Sequence, residues 1–108
     1  MALPDAVIST LAGIYDVMNG VSMMGIAGPG AVHPFKVEIV GERAGPLRLA
    51  SGVPIDIQCS IEDISECDIL IVPSVLLKPG GWQTGRYPRL VDWILRMHDG
   101  GARLCSAC

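Results

Sequence analysis

The sequence predicts an α/β fold, a mostly parallel sheet with helices on both faces, and three observations carry that expectation. Strand-like and helix-like segments alternate along the chain, apart from one antiparallel excursion. The run Asp68-Ile-Leu-Ile-Val-Pro73 is apolar without interruption, as a parallel strand covered on both faces requires. Half of the 108 residues are hydrophobic and mean hydropathy is +0.45, a composition suited to such a sheet.

Each element has its own signal. Leu11, Ile14, Tyr15, Met18 and Val21 recur at helical spacing, which predicts a helix over 9–21 that stops near Gly20 or Gly25. Residues 25–34 read as a loop. Phe35-Lys-Val-Glu-Ile-Val-Gly41 alternates apolar and polar residues and predicts a strand. Residues 47–57 read as two short extended arms around a turn at Ser51-Gly52. Ser60-Ile-Glu-Asp63 resembles a capping box and predicts a short helical turn. Asp68 to Pro73 is the central parallel strand. A loop with Pro79-Gly80-Gly81, Trp82 and Gly85 follows. A second helix begins near Tyr87, with Pro88 suited to its first turn. Leu90, Ile94 and Met97 line its apolar face with Val91 and Trp93 beside them, and Arg89, Asp92, Arg96 and Asp99 form the solvated stripe. Gly100-Gly101 ends it, and Ala102-Arg-Leu-Cys-Ser-Ala-Cys108 reads as another buried strand.

Only Met1-Ala-Leu3 stands where such a domain opens with a buried strand, and no crossover helix follows the last one. A buried strand ending in a bare carboxylate would cost about several kcal/mol. The expectation is therefore one partial domain, residues 1–108, incomplete at its C-terminus and shortened at its N-terminus, with no helix-turn-helix unit in this chain.

Charge and pattern exclude several classes. The net charge is −3 and the eight Lys and Arg residues are scattered singly, so direct nucleic-acid contact from this segment is not expected. The longest uncharged stretch, Val17 to Phe35, is broken by glycines and prolines and does not read as a membrane span. Met1-Ala-Leu-Pro-Asp lacks the basic start of a signal peptide, so a cytoplasmic protein without a membrane partner is expected. Cys59, Cys67, Cys105 and Cys108 are expected to be reduced.

The chemistry-bearing string is Gly101-Ala-Arg-Leu-Cys-Ser-Ala-Cys108. A small-residue strand ending in a cysteine is how a nucleophile elbow begins, since open α/β sheets place their sites at the strands' carboxyl edge. A helix N-terminus after Cys108 would lower the thiol pKa. Spacing alone favours ordinary buried strand cysteines over a nucleophile. Cys105-x-x-Cys108 also has redox spacing, although redox motifs open a helix instead of ending a strand. No metal site is expected, because Cys59, Cys67, His33 and His98 are too dispersed for a zinc site. His98 suits the end of its helix, where the dipole favours positive charge. His33 has no partner pattern. Met18, Met23 and Met24 read as core or interface filling, and Trp82 as a lid or a dimer contact. No cofactor is expected.

Asp68-Ile-Leu-Ile-Val-Pro73, the helix ending in Gly100-Gly101, and the strand to Cys108 together resemble the ThiJ/PfpI superfamily. This is the class I glutamine amidotransferase-like fold, here most similar to the N-terminal domain of AraC-type transcription regulators of the GlxA type. Gly13, Asp16 and Val17 resemble part of that family's first helix, and Gly45-Pro-Leu-Arg-Leu-Ala-Ser-Gly52 its arm before the hairpin. The resemblance implies a Rossmann/flavodoxin-like three-layer sandwich, truncated at the elbow strand.

Carried over by residue, Cys108 falls on the elbow cysteine. Ser74 and Val75 fall where the family has two glycines whose amides face a ligand oxyanion. Thr10 falls on the family's catalytic acid, and a hydroxyl cannot serve as a general base near neutral pH. Asp5, the nearest carboxylate, suits a helix N-cap instead. The resemblance thus implies a ligand-sensing, dimerising domain of an AraC-type regulator. It would bind a small-molecule effector at Ser74, Val75, Thr10 and Cys108 and pair as a homodimer. The alternatives are a cysteine-dependent hydrolase or hydratase using Cys108 as nucleophile, and a Rossmann-like fragment with no site of its own.

Overall fold

The computed structural model describes residues 1–24, 28, 35–77 and 79–107. Helix α1 spans Ile8–Met23 and helix α2 spans Pro88–Asp99. Six short strands accompany them: β1 (Val40–Gly41), β2 (Gly45–Arg48), β3 (Pro54–Ile57), β4 (Cys59–Ser60), β5 (Ile69–Val72) and β6 (Arg103–Ser106). They form two parallel pairs, β1–β4 and β5–β6, and one antiparallel hairpin, β2–β3. The expected mixed α/β class holds. The described strands, however, make three two-stranded ladders and not one continuous sheet.

The parallel pairs are joined through the chain's first residues. Ala2 N–H donates to Val40 O at 2.7 Å, and the Met1 amine donates to Ile71 O at 2.8 Å. Met1–Leu3 therefore lies between β1 and β5 as a strand would, with Ala2 and Leu3 buried. Burial lowers the pKa of the Met1 ammonium to about 6.

The strand expected over 35–41 is realised only at Val40–Gly41. The ladder stops because the Gln58 side chain takes the Ile39 N–H at 2.6 Å, while the N–H groups of both Gln58 and Cys59 converge on Ile39 O. Gly41 is closely packed: a Cβ there would sit 3.0 Å from Ile57 Cγ2, so the Ile57 side chain would have to shift by a few tenths of an ångström. The two arms form as expected, and Gly52, at φ +85°, makes the turn between them. Ser60–Asp63 makes one half of a capping box, the Ser60 amide donating to Asp63, while the Ser60 hydroxyl accepts the Glu62 N–H at 3.2 Å and the Asp63 N–H goes to Ser60 O; the motif closes a turn after β4 and starts no helix. Asp63 Oδ2 accepts from both the Ser60 amide (2.8 Å) and hydroxyl (2.7 Å), and these bonds hold the Asp63 carboxyl below its ordinary pKa.

Helix α2 buries Leu90, Trp93 and Met97, and Trp93 Nε1–H donates to Ile64 O at 3.1 Å. The solvated stripe is as expected, but Val91, which the periodicity sets beside the core, is 51% exposed. The helix ends in a Schellman motif: Gly101 N–H reaches His98 O, Ala102 N–H reaches Met97 O, and Gly101 takes φ +102°. Two further expectations are corrected. Strand β6 is exposed along its whole length, because it pairs with β5 on one edge only among the described residues. Met23 and Met24 are exposed at the end of α1, against a core role and with the interface reading left open, and the helix runs through Gly20 to end at Met23, near Gly25. The core gathers Leu3, Leu11, Ile57, Leu70, Leu90 and Trp93.

Candidate functional site

The carboxyl ends of β5 and β6 meet the turn that leads into α1. Val7 N–H donates to Ser74 O and Leu76 N–H donates to Asp5 O, both at 2.8 Å, so Ala6 faces Val75 in an isolated antiparallel bridge. These two bonds dock the segment after β5 against the start of α1. The Val75 N–H takes no part in them.

Thr10 sits inside this junction. Its hydroxyl donates to Val7 O at 2.9 Å and accepts the Ser74 N–H at 3.2 Å. Ser74 in turn donates its hydroxyl to Ala107 O at 3.1 Å, and Ala107 N–H donates to Val72 O at 2.9 Å. Three of the four residues expected to bind a ligand are thus drawn together, and the chain beyond β6 is tied to them through Ala107. Cys108 itself lies outside the described residues. The Ser74 amide, expected to face a ligand oxyanion, is turned to the Thr10 hydroxyl instead. An amide already holding a hydroxyl oxygen offers less to an incoming anion.

Sequence reasoning missed a neighbouring ion-pair cluster. Asp5 is buried, and its Oδ2 accepts the Tyr87 hydroxyl at 2.6 Å and forms an ion pair with Arg86 Nη1. Arg86 Nη2 also donates to the Tyr87 hydroxyl at 3.0 Å, with the guanidinium carbon 5.1 Å from the ring centroid. Asp5 therefore serves as the anchor for the Arg86-Tyr87 end of the glycine-rich loop, where a helix cap was expected. Burial, then the bond to Asp5, pushes the Tyr87 hydroxyl up to about 12. The bond to Asp5 also raises the Arg86 pKa. An Arg-Tyr pair ahead of a helix carries no signal that it will meet an Asp 82 residues away. Trp82, in the same loop, is 53% exposed.

Cys59, Cys67 and Cys105 are free thiols. Burial, followed by Glu38, raises the Cys59 pKa, and burial, followed by Asp68, raises that of Cys67. Both are held as thiols and are poor nucleophiles. Cys105 is exposed within β6 and opens no helix, against the redox reading. Among the described residues, no group of three His, Cys, Asp or Glu side chains gathers to hold a metal ion.

No protein-family model matches the chain, and no curated protein matches it. The chain's fold is similar to that of a solved protein from Vibrio parahaemolyticus, described as a "putative transcriptional regulator protein". The TM-score is 0.69 at 17% sequence identity, over 95% of this chain and 50% of that one. The fold is shared at that level. The chain spans half the length of that neighbour. Among the described residues, no helix is long and apolar enough to cross a membrane.

Proposed function

We propose that this chain is the ligand-sensing, dimerising domain of a transcriptional regulator of the AraC type, built on a ThiJ/PfpI-like fold, with the DNA-binding part outside these 108 residues. A small-molecule effector would occupy the carboxyl edge of β5 and β6, against Val75, the Thr10–Ser74 junction and the thiol of Cys108.

The observation that carries this reading is the bond from the Ser74 amide to the Thr10 hydroxyl. In a catalytic relative the same two positions would supply an oxyanion donor and a carboxyl group that tunes the nucleophile. Here a neutral hydroxyl occupies the donor. That arrangement supports a rigid cradle for recognition and gives no proton-transfer group to a reaction. The fold likeness to half of a protein described as a regulator supports the same reading.

Sequencing the transcript past the Cys108 codon tests it. A small residue and a glycine next, followed by two helix-turn-helix motifs in the same frame, is the expected result. A stop codon soon after the fold closes, with a histidine encoded before it, would overturn the regulator in favour of a hydrolase or hydratase.

A further inference from the structure

Both ends of one loop are held by a single residue. The loop leaves β5 through Val75 and Leu76 and enters α2 through Arg86 and Tyr87. At its entry Leu76 N–H donates to Asp5 O at 2.8 Å. At its exit the Tyr87 hydroxyl donates to Asp5 Oδ2 at 2.6 Å, and Arg86 Nη1 pairs with the same oxygen. The Asp5 carboxylate is only 5% exposed, so water competes little for it. Among the described residues, no backbone hydrogen bond ties 79–85 to another segment. Gly80, Gly81 and Gly85 take positive φ, and an added Cβ at each would meet no described neighbour within 4 Å. The position of this stretch therefore depends on its two ends. Its glycines also raise the chain entropy gained when an end is let go.

The residue that holds the ends belongs to the ladder beside Thr10 and Ser74. Segment 5–10 docks on segment 74–76 through three bonds. Leu76 N–H goes to Asp5 O and Val7 N–H to Ser74 O, both at 2.8 Å, and Ser74 N–H goes to the Thr10 hydroxyl at 3.2 Å. That hydroxyl also donates to Val7 O, so it grips both sides of the ladder. Asp5 and Val7 are two residues apart, a reach of about 7 Å at most. A shift of the ladder at Val7 is thus passed to Asp5 with little slack.

We propose that Asp5 is a positioning residue, a clasp that holds residues 79–86 as a strap at the carboxyl edge of β5, and that loosening the Thr10–Ser74 junction releases this strap. A molecule that takes the Ser74 amide must first displace the Thr10 hydroxyl from it, which removes one of the three ladder bonds. Occupation of the site then frees the strap and the Trp82 it carries. The role of an effector in this step rests on the function proposed above, whereas the coupling of junction to strap follows from the bonds alone.

Limited trypsin digestion of the full chain tests the clasp, because the protease must draw Arg86 off Asp5 to cleave the Arg86–Tyr87 bond. Cleavage after Arg96, within α2, requires the helix to open and serves as the reference. Asp5→Asn should raise the rate after Arg86 about tenfold or more over that reference. Arg86→Lys keeps a trypsin site and a positive charge but gives up the guanidinium fork, so it should also raise that rate, and it carries the test if Asp5→Asn fails to fold. Thr10→Val, which lies outside the strap, should raise the rate after Arg86 about threefold or more over the reference. Gly41→Ala, away from the ladder, should not. An unchanged relative rate in both Asp5→Asn and Arg86→Lys would overturn the clasp. Equal acceleration at Arg86 and Arg96 in Thr10→Val would overturn the coupling. No effector enters these measurements, so their failure leaves the regulator reading to the transcript test, and a stop codon there leaves the clasp in place.

Discussion

The Tyr87 hydroxyl lies 2.6 Å from Asp5 Oδ2 and donates to it, linking the residue before α2 to the turn before α1. With Arg86 on the same carboxylate, the contact ties the end of the glycine-rich loop to the chain's first turn. Hydrogen bonds to a buried charged group contribute about 1.5–3 kcal/mol. Tyr87→Phe keeps the ring and removes that bond, so urea unfolding should show a loss within this range. A loss below about 0.5 kcal/mol would show that the Tyr87 hydroxyl adds little to the hold on Asp5.

The same bond sets an alkaline limit. An acid whose folded pKa is raised contributes stability that is full below its unfolded pKa and lost as pH rises through the folded one. For Tyr87 the window runs from pH 10, the ordinary tyrosine value, to about 12. Thermal unfolding from pH 9 to 12 should show a fall in Tm that Tyr87→Phe lacks. Absorbance near 295 nm should show one of the two tyrosines ionising late.

Thr10→Val removes the hydroxyl that links Val7 O to the Ser74 amide. Leaving a partly buried amide without its acceptor costs about 1–3 kcal/mol. The cost should appear in urea unfolding, with faster hydrogen exchange at the Ser74 amide. Exchange at Leu70, inside the β5–β6 ladder, should stay unchanged.

Gly41→Ala places a methyl group 3.0 Å from Ile57 Cγ2, and Ile57 is buried. Overpacking of this kind costs about 1–3 kcal/mol. Ile57→Ala removes the obstructing atoms, so a double-mutant cycle should return a coupling that offsets most of the Gly41→Ala penalty.

The α/β class, both helices, the hairpin turn at Ser51-Gly52 and the glycine stop of α2 were all legible in the sequence. Each is dictated by local physics: helical periodicity, a turn that tolerates positive φ, an uninterrupted apolar run. Thr10, Ser74 and Val75 could be singled out from resemblance, and the fold brings the three together. What the Ser74 amide does there was not legible, because it depends on which acceptor comes within 3.2 Å once α1 is docked.

The tertiary structure alone decided where β1 lies, since the strand signal of 35–41 needs a neighbour to pair with and, among the described residues, finds β4 from Ile39 onward. It also decided that β6 is exposed and that Asp5 is a buried anchor. Burial and pairing belong to what lies alongside a segment, and alternation or apolarity within it cannot specify that neighbour. The sequence by itself determined which segments form helices and which extend. The packing of distant segments decided which backbone and side-chain groups are satisfied.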